Sequence, residues 1–159
     1  MTRLRWTGRI LAAGLGLGIL LALLVPRAFA DSVAVIANKS VPVDAVDKMQ
    51  LLDIYSGDLR NWSNGRPIVV HDLKINNETK ELFYRHLGKT PSRMKSLWLK
   101  KLLSGEGAPP EAVETEHEMI ERVAKTPGAI GFISVDSIND TVKTLAIIES
   151  DEKKKTAER

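Results

Sequence analysis

The chain contains no cysteine. Disulfide staples and thiolate chemistry are therefore excluded, an oxidising compartment is permitted, and packing alone must hold the fold. It also lacks a Gly-x-Ser-x-Gly elbow, a His-Glu-x-x-His pair and a phosphate-binding loop, the usual marks of serine hydrolases, zinc proteases and P-loop nucleotide binding. His71, His86 and His117 have no metal-ligand spacing, and structural roles are expected for all three. The carboxylates are spread over predicted helix starts and solvated faces, where caps and charge balance account for them. The expectation is a protein that is not an enzyme, with no metal and no cofactor.

Long apolar runs are scarce as well. The single one, residues 10–25, follows Arg3, Arg5 and Arg9 and precedes Ala28-Phe29-Ala30. It is shorter than the about 20 residues of a spanning helix, and with its basic start and small-x-small end it reads as a secretory signal peptide over residues 1–30, cleaved after Ala30. A retained anchor is the competing reading, and Arg27 is the point in its favour. Gly14, Gly16 and Gly18 lie inside this run with no strand before them, so they are not a nucleotide loop. The leader holds four arginines and no acid, so its removal leaves 19 basic against 20 acidic residues. The basic balance belongs to the leader. A near-neutral mature chain offers no long-range attraction for nucleic acid or for an anionic membrane surface, and no membrane insertion is expected after cleavage.

The remainder alternates between the two hydrophobic periods of an α/β domain. Residues 32–38 are rich in β-branched side chains and predict a buried strand. Asp44 is a candidate cap for a helix carrying Val46, Met49, Leu51, Leu52 and Tyr55, which Gly57 ends. Residues 61–65 read as a turn and 67–70 as a strand. Asn76 or Asn77 caps a helix with Leu82, Phe83, His86 and Leu87 on one face, and two successive βα units favour a parallel strand pair. Thr90-Pro91 starts a helix whose Met94, Leu97, Trp98 and Leu102 form an apolar stripe expected to be core. Residues 104–110 are a loop, and Thr115 and Glu118 form a capping box for a helix with Met119, Ile120 and Val123 inward. Thr126-Pro127-Gly128-Ala129-Ile130-Gly131-Phe132-Ile133 turns into an apolar strand, and residues 142–148 predict a last one. Trp62 is read as a plug over the core edge rather than a partner contact. The expected domain is 31–148, followed by a charged, disordered tail over 149–159.

That turn-and-strand stretch, with Ile54-Tyr55-Ser56-Gly57, Asn61-Trp62 and Pro67-Ile68-Val69-Val70, resembles the second lobe of the substrate-binding protein of bacterial phosphate ABC transporters. The likeness covers roughly residues 33–137. It implies a single lobe of a type II periplasmic binding protein-like fold, an α/β domain with a mixed, mostly parallel sheet flanked by helices, working in the periplasm. It also implies a small anion such as phosphate as ligand, and a membrane transporter, a sensor or a second lobe or subunit as partner.

In open α/β sheets, ligands sit outside the carboxyl ends of the strands, where helix N-termini present unpaired N–H groups. Those ends are taken here as residues 38–40, 71–79 and 134–136, which gives Ser40, Lys74, Asn76, Asn77 and Thr79 as the candidate ligand-binding residues. Where the family carries an arginine and a Ser-Gly-Thr run, this chain has Asp72 and Asn76-Asn77-Glu78-Thr79. A bidentate guanidinium contact is replaced by carboxylates that repel an anion. Two readings stand beside each other. One is a solute-binding module with a degenerate anion site; the other is a periplasmic protein–protein interaction module that keeps the fold and has lost the ligand.

Overall fold

Four strands of a five-stranded sheet point one way and the fifth runs against them, in a computed structural model that describes residues 32–150. The leader and the tail beyond residue 150 lie outside the described residues. In chain order the elements are β1 (Ser32–Ala37), α1 (Lys48–Ser56), β2 (Val69–Leu73), α2 (Glu78–His86), α3 (Pro91–Leu103), β3 (Glu111–Val113), α4 (Glu116–Lys125), β4 (Ala129–Ser134), a 3-10 turn (Val135–Ser137) and β5 (Lys143–Glu149). The sheet order is β3-β2-β4-β1-β5. β2 pairs in parallel with β3 and β4, whereas β1 is antiparallel to β4 and β5.

The parallel pair expected of the first two strands does not form. β4 lies between β1 and β2, and β1 runs opposite to β2. All six β1 residues are buried because helices cover both faces of the central strands, which explains the run of Val, Ala and Ile there. One face carries α4. Gly131 of β4 lets that helix approach closely, since a Cβ there would stand 2.4 Å from Met119 Sδ. The other face carries α1 and α2 around four rings: Phe83 stacks on Phe132 at 4.1 Å, and Tyr55 and Tyr84 meet Phe83 edge-on at 4.6 and 5.3 Å.

Local signals placed most helix ends. Asn77, Thr90 and Thr115 each accept a backbone N–H as N-caps, and Gly57 closes α1 at φ 77°. Asp44 does not cap α1. Asp47 does, reciprocally with Gln50, while Asp44 accepts Lys143 Nζ at 2.9 Å across 99 residues. Met49, one of the apolar residues read along this helix, is 63% exposed. At α4, Thr115 caps Glu118, but Glu118 reaches the backbone N–H of Glu114 rather than that of Thr115. The strand expected over 67–70 is displaced towards 69–73, with Pro67 in an isolated bridge to Asn61. The edge strand β3 was not expected.

The largest departure is α3. Of its anticipated stripe only Met94 is fully buried; Leu97 and Trp98 are half-buried and Leu102 is 53% exposed. Trp62 is buried and its indole N–H donates to Gly128 O at 2.8 Å. It is a plug, as anticipated.

Candidate anion site at the carboxyl edge of the sheet

Strand direction decides what can converge. β2, β3 and β4 end on the same edge, and there α2 and α4 begin, so two helix N-termini and the 3-10 turn face one another. Each N-terminus presents unpaired N–H groups and the positive end of a helix dipole, a disposition suited to an anion.

An anion is already there, and it belongs to the chain. Glu116, in the first turn of α4, accepts the Thr79 hydroxyl at 2.8 Å through Oε1 and the Ser137 hydroxyl at 2.7 Å through Oε2. One carboxylate thereby ties the start of α2 to the 3-10 turn. The neighbouring donors are similarly engaged: Lys74 pairs with Glu114, and Asn76 donates to Glu81 at 2.6 Å. Asn77 spends its side-chain oxygen on the Lys80 N–H as the cap of α2. Just inside, Lys80 donates to Asp72 Oδ2 at 2.9 Å and to the Leu73 carbonyl. Burial pushes the Asp72 carboxyl above its ordinary value, and Lys80 pulls it back. Asp72 Oδ1 is buried without a hydrogen-bond partner, and the Tyr84 hydroxyl lies against the same carboxyl group. Burial, reinforced by Asp72, drives the Tyr84 hydroxyl well above the usual phenol range. Among the described residues no cluster of three or more His, Cys, Asp or Glu could hold a metal, and no helix is long and apolar enough to cross a membrane.

The PBP superfamily domain matches residues 27–158, most of the chain. The chain belongs to the PBP superfamily. Its fold is similar to that of a protein classed as a phosphate ABC transporter substrate-binding protein from Clostridium perfringens, solved with bound phosphate (22% identity, TM-score 0.60, 73% of this chain and 45% of that one). It is also similar to an ABC-type phosphate transport receptor from Vibrio cholerae (20%, 0.58, 81% and 63%) and to PstS from Borrelia burgdorferi (18%, 0.54, 73% and 47%). At these identities the likeness is one of fold, and this chain spans about half to two thirds of the length of those proteins.

Within this PBP-superfamily lobe the five sequence-picked residues do not form one site. Lys74, Asn76, Asn77 and Thr79 gather at the start of α2, but Ser40 lies at the opposite edge. Because β1 is antiparallel, its carboxyl end abuts the beginning of β4: Asn38 N–H donates to Ala129 O, and Ser40 Oγ accepts the Gly128 N–H at 3.2 Å. Ser40 shapes the signature turn and cannot reach the α2 terminus. Sequence reasoning missed Glu116, Ser137 and Lys80. Glu116 has the sequence appearance of a first-turn acid complementing the α4 dipole, and nothing local links it to Thr79, 37 residues away.

On the opposite face of β2, His71 is 1% exposed, and neither ring nitrogen has a hydrogen-bond partner. Burial pushes its pKa below the ordinary value, opposed by Glu111, whose Oε2 lies 3.5 Å from Nδ1; Arg122 and Glu118 of α4 also face it. The unfolded chain takes up this proton once the pH falls below about 6.5, whereas the native lobe resists it. Stability should therefore fall with acidification from pH 7.5 to 5.5. His71→Gln should flatten that slope in a melting series; an unchanged slope would remove His71 as the cause.

Proposed function

We propose that this chain is an exported, non-enzymatic binding module of the PBP superfamily whose phosphate-like anion site is degenerate, because its own Glu116 takes the place of the ligand. The bridge from Glu116 to Thr79 and Ser137 carries the reading. The surrounding carboxylates, Asp72, Glu81 and Glu114, oppose a second anion, and the cations beside them are already paired. The apolar leader with its small-residue end supports delivery to the periplasm. The likeness in fold to phosphate transport receptors supports a transporter, a sensor, a second lobe or a subunit as its partner.

A single lobe offers about half of a closed cage, roughly 4 kcal/mol for phosphate, or a Kd near 1 mM at best. With Glu116 in place even that is lost. Thermal melting at fixed ionic strength should show no shift for the wild-type chain up to about 10 mM phosphate. Glu116→Ala should gain a saturable rise of about 1.4 kcal/mol at about ten times its Kd, several degrees in Tm for a domain of this size. A saturable submillimolar shift in the wild type would overturn the proposal, as would a variant that stays flat while remaining folded.

A further inference from the structure

α3 carries four basic residues, Arg93, Lys95, Lys100 and Lys101, and no acid. Lys101 pairs with Asp58 at 2.7 Å; the other three are exposed and form no ion pair among the described residues. Between Lys95 and Lys100 around the helix, Leu99 and Leu103 stand 56 and 79% exposed, and Leu102, beside Lys95 on the groove side, is 53% exposed. Beside them a groove of about 540 Å³ opens between α3 and the β2–β3 edge, with Trp98 and Leu102 on one side, Pro110 and Ala112 on the other, and the Asp72–Lys80 pair at one end. A helix that buries only Met94 fully, while showing three leucines to water, has an unfilled apolar face.

We infer that the exposed face of α3 receives an acidic amphipathic helix of a partner protein, with leucine-like side chains packing on Leu99 and Leu103 and into the adjoining groove, carboxylates meeting Lys95 on the groove side and Arg93 and Lys100 on the far side of that leucine crest. The charges choose among occupants. A second copy laid α3 on α3 would bring two sets of unpaired cations together with no acid between them, which is unfavourable. A lipid surface is flat and would touch only the Leu99–Leu103 crest, leaving the groove empty. An acidic helix satisfies both the concavity and the charge, in the helix-in-groove mode of recognition. This goes beyond the reading of the anion site, and rests on it only in that the partner replaces phosphate as the ligand.

The probe is a synthetic capped peptide of about 18 residues, five helical turns, with leucines along one face and glutamates elsewhere, alongside the same peptide with lysines for glutamates. Calorimetric titration into the purified full-length chain should show the glutamate peptide binding and the lysine peptide not. Lys95→Glu/Lys100→Glu should weaken the glutamate peptide at least tenfold and admit the lysine peptide. Raising salt should weaken the wild-type complex. Equal binding of the two peptides, or no effect of the double charge reversal, would overturn the inference. So would self-association that Leu103→Ser abolishes, or sedimentation with phosphatidylglycerol vesicles without a peptide preference. The phosphate titration on the same samples keeps the two proposals apart, since it responds to Glu116 and not to Lys95 or Lys100.

Discussion

Phe83→Ala should cost about 3–5 kcal/mol of unfolding free energy, the range for emptying a buried phenylalanine site. Phe83 is fully buried, and its ring lies nearly parallel to Phe132, 6° apart, with Tyr55 and Tyr84 edge-on. These rings come from α1, α2 and β4, so the cavity would open where two helices meet the sheet, and the stiff strands cannot collapse into it. Losses of this size approach the whole stability of a small domain. Phe83→Leu, which keeps most of the volume, therefore accompanies it and should lose distinctly less. Chemical denaturation followed by far-UV circular dichroism reads both. A loss below about 1 kcal/mol for the alanine variant would mean that the cluster repacks.

Gly128→Ala should be the second costly change, by about 2–4 kcal/mol. Gly128 has φ 79°, and an added Cβ would stand 2.5 Å from the Pro67 carbonyl oxygen, a backbone atom that cannot turn aside. The residue is also a junction. Its carbonyl accepts the Trp62 indole at 2.8 Å and the Val69 N–H at 3.2 Å, and its own N–H donates to Ser40. Shifting it disturbs the entry to β2, the Trp62 plug and the loop after β1 together. Gly65→Ala supplies the comparison, because Gly65 has the same φ of 79° with nothing within 4 Å of the added carbon. It should lose only the backbone strain, about 1–2 kcal/mol. Equal losses at the two positions would show that strain, not the contact with Pro67, sets the cost.

Gly128 also shows why the signature turn was legible in the amino-acid sequence. A left-handed turn between an amphipathic helix and an apolar strand needs a glycine, and that need is local. The caps Asn77, Thr90 and Thr115 were legible for the same reason: each acts on a backbone N–H three residues away. Asp44 and Asp47 have the same side chain and lie one turn apart. Asp47 caps α1 because it precedes the first helical residue and forms a reciprocal box with Gln50, a local signal that the Asp44 reading passed over, while Asp44 accepts Lys143. The α3 stripe was misread because periodicity says that a helix has an apolar face and not that anything covers it. β3 gave no periodic signal, being three residues long after two prolines.

The candidate site divides along the same line. The start of α2 as an anion-favouring position followed from a predicted strand–loop–helix order, and Asp72 and Glu78 already marked it as poor for phosphate. The grouping of Ser40 with that position assumed that β1 runs with β2. Direction is a property of the ladder, not of the strand: a run of Val and Ile packs equally well either way until β4 and β5 take their places beside it.

The sequence by itself thus determined the α/β class, most of the helix termini, the turn at Gly128, and the lack of cysteine and of the common catalytic motifs. All of these depend on interactions spanning a few residues or on side-chain chemistry alone. Only the tertiary structure decided the reversal of β1, the removal of Ser40 to the far edge, the seating of Glu116 between Thr79 and Ser137, and the open face of α3. Each depends on which distant segments become neighbours, and hydrophobic patterning, being non-directional, says what must be buried without saying against what.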